Sequence, residues 1–94
     1  MKIVECLWKE KFVEKLERKH QVLTDEVEEV FRNAPRFKLI AKGLVAGENV
    51  YRALGQTDDG RYLAIFFIYK HGGKALPISA RDMDAKERRS YGKK

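Results

Sequence analysis

The side chains of this 94-residue chain best suited to chemistry are basic, with one tyrosine beside them. Lys19 and His20 stand together. Arg52 and Arg61 fall on strand-like runs, Lys74 and Arg81 bracket another, and Arg88, Arg89 and Tyr91 follow near the end. Guanidinium groups fork onto phosphate oxygens, an ammonium or imidazole can move a proton, and an aromatic ring can stack on a base. Such a set suits a polyanion.

Each residue also has a plainer reading. Val50 and Leu54 share the face of Arg52 at spacing two, so its guanidinium rises from a partly apolar strand surface and needs an anion. That anion could be a phosphate or an acid such as Glu26 or Glu29, and Arg52 could also simply face solvent. Arg81 ends a strand just before a helix start, where an anion can meet free helix amides, or where Asp82 or Asp84 can pair with it. Lys19 and His20 also suit the negative end of a helix dipole, and Lys86, Arg88 and Arg89 are equally compatible with a solvated helix face.

The formal net charge of +6 favours nucleic acid as a partner, and also serves solubility. Cys6 is the only cysteine, so no disulfide can form within the chain, and a reducing cytoplasm fits. Ser79 and Ser90 lie in no nucleophile-elbow context, and Cys6 has no histidine nearby in sequence. His20 and His71 are isolated, while Asp58-Asp59 and Asp82/Asp84 read as turn and cap residues, so neither a metal site nor a cofactor is expected. The apolar run at Met1 to Trp8 is too short for a signal peptide, and no segment approaches ~20 uninterrupted apolar residues, so no membrane partner is expected.

The elements that must position these residues follow from periodicity. Trp8, Phe12 and Leu16 recur at spacing four and predict a helix to His20. A second helix starts at Thr24, whose hydroxyl is expected to cap it, buries Val27, Val30 and Phe31, and is closed by Pro35. Alternation then predicts strands over Phe37 to Ala41 and Asn49 to Gln56, joined through Gly43 to Gly47. Asp58-Asp59-Gly60 turns the chain into Arg61 to Lys70, whose run Leu63 to Tyr69 is apolar on both faces and belongs in mid-sheet. His71-Gly72-Gly73 leads into Lys74 to Ala80, where Pro77 implies an edge or a bulge. Asp84 and Glu87 form a capping-box pattern for a short basic helix through Tyr91, after which the chain should fray. The expectation is one α+β domain over residues 1–94: two N-terminal helices, a three- to four-stranded mainly antiparallel sheet and a short C-terminal helix. An extra strand at Ile3 to Leu7 is an option.

In this order Lys19-His20 with Val22, Glu26, Val30-Phe31, Tyr51-Arg52-Ala53-Leu54-Gly55, Gly60-Arg61, Ile78-Ser79-Ala80-Arg81 and Glu87-Arg88 with Tyr91 resemble the BrnT family of toxins. The likeness runs from Trp8 to Tyr91, and Ile78-Ser79-Ala80-Arg81 with the helix after it is its most specific part. It implies a RelE-like fold, a ribonuclease that arrests translation, and a ribbon-helix-helix antitoxin of the BrnA kind. Operator DNA would be met only through the antitoxin complex. Leu16 stands where many members have asparagine, Gln21 where glycine is usual, and Leu76-Pro77 where an arginine-isoleucine pair precedes the Ser-Ala-Arg motif. Without that arginine, phosphate binding would fall to Lys74, Arg52 and Arg81, or activity would be weakened.

The chemistry expected is metal-independent RNA cleavage by attack of the ribose 2′-hydroxyl on the adjacent phosphorus. Arg52 and Arg81 would clamp the phosphate, and Lys19 or His20 would serve as base or acid. Arg61, Lys74, Arg88 and Arg89 would hold RNA, while Tyr91 stacks on a base or donates a proton. The alternative is a noncatalytic, degenerate toxin that binds antitoxin or nucleic acid, which Leu76-Pro77 favours.

Overall fold

The computed structural model describes residues 1–43 and 48–93. Apart from Gly43, the connection expected at Gly43 to Gly47 lies outside the described residues, as does Lys94. The elements are β1 (Glu5–Cys6), α1 (Glu10–His20), α2 (Thr24–Arg32), β2 (Arg36–Ala41), β3 (Val50–Gln56), β4 (Tyr62–Lys70), β5 (Lys74–Asp82) and α3 (Ala85–Gly92). They form an α+β fold around one five-stranded sheet of order β1-β5-β4-β3-β2. No helix among the described residues is long and apolar enough to cross a membrane.

The sheet has five strands where three or four were expected, and it is mixed. The added strand, β1, falls within Ile3 to Leu7 and pairs parallel to β5 through only Glu5↔Lys74 and Cys6↔Ala75. Two residues cannot display an alternation, so their pairing is set by tertiary contact rather than by local pattern. β2 to β5 pair antiparallel in succession. β4 is central, as its apolar character on both faces requires.

The two sheet faces differ sharply. On one, Leu16 of α1, Val22, and Val27 and Val30 of α2 pack with Ala53, Leu63, Ile65, Phe67, Ala75 and Ala80. Phe67 is fully buried, with Phe31, Phe37 and Tyr51 rings 5.2, 5.9 and 5.9 Å from its own. On the other face α3 supplies a smaller cover: Leu54, Ala64 and Met83 pack with Tyr62, Phe66 and Tyr91. Lys38 and Arg52 lie on this second face, in one cross-strand row with Phe66 and Ser79.

Turns and ends follow local chemistry, with one exception. Gly60 takes φ 89° in the β3–β4 hairpin, donating to the Thr57 carbonyl at 2.9 Å. On β5, Ser79 pairs with Phe66 and Pro77 with Phe67, which leaves Ile78 as a bulge beside the residue that lacks an N–H. The Asp84–Glu87 capping box is present at α3. Thr24, however, does not cap α2. Leu23 holds the cap position, and the Glu26 carboxylate accepts its N–H at 3.0 Å.

Gln21 ends α1 in the left-handed region, at φ 51° and ψ 42°, while Val22 donates to the Leu16 carbonyl at 3.1 Å. A side chain in this conformation is strained by about 1 kcal/mol. Gln21→Gly should therefore stabilise the protein by roughly 0.5–1 kcal/mol despite losing the exposed Gln21 contact to the Arg18 carbonyl. A raised denaturant midpoint at unchanged slope is the expected result; a lowered midpoint would refute the strain.

Candidate functional site

Arg52 and Arg81 approach one another through an acid that the sequence reading treated only as a capping residue. The Glu87 side chain is about 8% exposed. Arg81 Nη1 and Nη2 donate to its Oε1 and Oε2 at 2.6 and 2.9 Å, a bidentate fork, and the Asp84 N–H donates to Oε1 at 3.0 Å. Arg52 Nη1 stands 3.7 Å from Oε2, an ion pair longer than a hydrogen bond. Burial pushes the Glu87 carboxyl up, but the Arg81 hydrogen bonds, the Asp84 amide and the two arginine charges outweigh it and hold it below the usual glutamate range. The acid paired with Arg52 is thus Glu87, where Glu26 or Glu29 was considered. The side chain of Arg81 likewise takes Glu87 in place of Asp82 or Asp84, and reaches only the Asp82 carbonyl, at 3.2 Å.

The two arginines are unequally engaged. Arg81 directs Nη1 and Nη2 at protein acceptors and lays its guanidinium 5.3 Å from the Phe66 ring centre. None of the Arg52 nitrogens has a hydrogen-bond partner among the described residues, and its Nε is buried without one. Arg52 opens into a cleft of about 480 Å³ between β2, β3 and the end of α3, shared with Arg36, Phe37, Lys38, Leu54 and Ser90. Arg36 is held over this cleft by donating Nη1 to the Ser90 carbonyl at 3.1 Å.

Arg61 holds the fold together, although it was expected to contact RNA. Its Nε donates to Asp82 at 2.8 Å, Nη1 to the Gln21 carbonyl at 2.8 Å and to Glu26 at 3.1 Å, and Nη2 to the His20 carbonyl at 3.0 Å. Every guanidinium nitrogen is engaged, joining the end of α1, the start of α2 and the strands β4 and β5. Hydrogen bonds from Arg61 hold the Asp82 carboxyl below its ordinary range against partial desolvation, with the charges of Arg61 and His20 adding to the effect.

Lys19 and His20 end α1, and the charge of His20 acts on Asp82, which follows Arg81 in β5. No hydrogen bond or ion pair among the described residues joins their side chains to Arg52 or Arg81. Lys74 pairs with Lys70 at the opposite end of β5 from Arg81, on the order of 20 Å along the strand. Arg88 lies 3.9 Å over the Tyr62 ring, against which Tyr91 packs edge-on at 6.1 Å, while Arg89 is exposed on α3. Burial, then the charges of Glu28 and Glu5, raise the Cys6 thiol to about 12, which keeps it protonated and a poor nucleophile at neutral pH.

Sequence reasoning missed Arg36 and Lys38 as site residues and Glu87 as the partner of two arginines. The spacing of Arg36 and Lys38 puts them on one face of β2, but that their face is the Arg52 face depends on the Lys38↔Arg52 register. The capping pattern located Glu87 without revealing which cations its carboxylate meets.

The profile of a family described as ribonuclease toxin, BrnT, of type II toxin-antitoxin system matches residues 8–87. No curated protein matches the chain.

Two substitutions test the ion pairs that hold the site in place. Arg61→Ala should cost roughly 2–3 kcal/mol, because Glu26 and Asp82 lose their shared cation and two carbonyls lose a donor. Unchanged stability in urea denaturation would contradict the clasp. Glu87 has a depressed folded pKa, so its contribution is complete above the unfolded value of about 4.3 and lost as pH falls through the folded one. Glu87→Gln should lower the melting temperature at neutral pH, with the deficit narrowing below about pH 5. A deficit constant from pH 7 to pH 3 would refute the ion pairing.

Proposed function

Because the chain belongs to the BrnT family, the ribonuclease toxins of type II toxin–antitoxin systems, we propose that it cleaves RNA on the sheet face carrying Arg52. The observation that carries this reading is the Arg52 guanidinium, which opens into a cationic cleft with no hydrogen-bond partner among the described residues. An anion bound there meets a charge already oriented and partly desolvated.

The reaction is attack of the 2′-oxygen on the adjacent phosphorus while the bond from phosphorus to the 5′-oxygen breaks. It leaves a 2′,3′-cyclic phosphate and a 5′-hydroxyl, and requires no metal. A base takes the 2′-hydroxyl proton and an acid protonates the departing 5′-oxygen. Arg52 stabilises the charge that grows on the phosphoryl oxygens. Arg81, already forked onto Glu87, has its Nε and part of Nη2 left to assist. Lys19 and His20, at the end of β5 where Arg81 lies, are the proposed proton carriers. Arg88, Arg89 and Lys74 are exposed cations that would hold the RNA strand, and Tyr91, partly buried against Tyr62, would stack on a base or donate a proton.

Cleavage of this kind arrests translation in the cytoplasm. Two helices before an antiparallel core and a C-terminal helix after it support the RelE-like scaffold that the family resemblance implies. The partner proposed is a ribbon-helix-helix antitoxin like BrnA, through which alone operator DNA would be met. The pairing of Glu87 with Arg81 favours one second reading, a noncatalytic toxin, because Glu87 occupies the fork that would otherwise receive a phosphate.

Purified protein incubated with a defined RNA in EDTA tests the choice. The wild type should release 5′-hydroxyl fragments, and Arg52→Ala should be slower by roughly 100-fold or more. Equal cleavage by wild type, Arg52→Ala and Arg81→Ala would remove this site, while no cleavage at any protein concentration would select the noncatalytic reading.

A further inference from the structure

The cleft beside Arg52 raises a physical question that cleavage alone does not answer. Lys38 and Arg52 are directly paired across β2 and β3, so they project from the same face as near neighbours. Like charges directly opposed across an antiparallel ladder destabilise it. Arg36, two residues before Lys38, adds a third cation to the same cleft. None of the described residues lining the cleft is acidic. Glu87, 3.7 Å from Arg52 Nη1, is already forked by Arg81. Among the described residues, three positive charges therefore converge with no acid lining the cleft, and the buried Nε of Arg52 lacks a partner. An arrangement that costs the free protein stability is explained if an anion completes it.

We propose that Arg36, Lys38 and Arg52 form a phosphate subsite that seats the backbone of the RNA strand beside Phe66, a partly buried ring that also carries the Arg81 guanidinium 5.3 Å from its centre. This rests on the reading that the Arg52 face meets RNA, and it identifies where a backbone phosphate sits. The row Lys38, Arg52, Phe66, Ser79 crosses four adjacent strands, each roughly 4.8 Å from the next, so cation and ring are spaced on the scale of a phosphate and its own base. An acidic peptide would use the cations but has no need of the ring beside them; a nucleotide uses each. Arg36 acts here as a fixed donor, because its bond to the Ser90 carbonyl anchors one end of the guanidinium and leaves other N–H groups toward the cleft.

The test uses the intact protein and an uncleavable 2′-O-methyl oligonucleotide, so that binding is measured apart from cleavage. The double variant Arg36→Ala/Lys38→Ala should bind about tenfold more weakly, and the dependence of log affinity on log salt should fall by roughly 1.4, from two lost phosphate contacts at about 0.7 each. Phe66→Ala should weaken binding while leaving that salt slope unchanged. Lys38→Gln should weaken binding yet hold or raise the melting temperature, since it relieves repulsion; loss of binding and stability together would give Lys38 a merely structural role and overturn the subsite. Unchanged affinity and salt slope in the double variant would also overturn it, as would wild-type protein that does not bind the oligonucleotide. So would a double variant that loses affinity for a polyglutamate peptide while keeping it for RNA, because the cleft would then be a protein-binding surface. Cleavage of ordinary RNA, measured in parallel, separates the two ideas. Wild-type cleavage with no effect of the double variant on binding sinks the subsite alone, whereas binding with the expected slope change but no cleavage sinks the ribonuclease reading alone.

Discussion

Two guanidinium groups are carried into the seam between α3 and the sheet, and the structure depends on the Glu87 carboxylate that accompanies them. Withdrawing a charge from water costs several kcal/mol unless partners compensate for it. Glu87 supplies that compensation for Arg81 in full, through a two-point fork, and for Arg52 only at longer range. The same carboxylate accepts the Asp84 N–H, so one residue closes the start of α3, fixes Arg81 and balances part of the Arg52 charge. Position of the helix and electrostatics of the site are therefore one constraint.

That constraint matters because α3 is a small cover. The opposite sheet face is sealed by α1 and α2 over a continuous apolar core, whereas α3 covers only Leu54, Ala64, Met83 and the rings around them. β4 supplies apolar residues to both faces and tolerates this asymmetry because Phe66 can remain only partly buried. Arg36, Lys38 and Arg52 border that cover, and the row Val50, Ile68 and Leu76 continues the face on the other side of Phe66. A sheet surface that a longer helix would have buried becomes a shallow cationic floor with an aromatic ring in it, which is the physical basis for reading it as a nucleic-acid surface.

Most of the architecture was legible in the sequence because its signals are local. Spacing-four apolar residues gave α1, the Asp-Asp-Gly turn gave the β3–β4 hairpin, the two-sided apolar run put β4 at the centre, and Pro77 marked the bulge. What escaped depended on tertiary register. β1 is two residues long and exists only against β5. The helix begins one residue earlier than a Thr24 cap would allow, with Leu23 in the cap position and its N–H taken by the Glu26 carboxylate, a contact that depends on where the chain enters α2. Arg36 and Lys38 could be assigned to a strand face, but nothing local says that Arg52 lies across from Lys38. The family resemblance located Arg52, Arg61 and Arg81 as residues of interest without distinguishing what each does.

The hydrogen-bond partners of each guanidinium draw that distinction. Arg61 and Arg52 are the same residue type on or beside adjacent strands, each with side chains partly exposed, at 27% and 19%. Every nitrogen of Arg61 donates to an acid or carbonyl of the fold, so an incoming phosphate could gain its charge only by breaking contacts that hold two helices to the sheet. Arg52 has its charge balanced at a distance and no hydrogen bond among the described residues, so a phosphate there would gain donors without displacing any. Net affinity for an anion depends on the difference between bonds made and bonds broken. By that measure Arg52 is the arginine through which this face can act on a ligand, Arg61 is the one that keeps the face in place, and Arg81 stands between them, its fork already closed on Glu87.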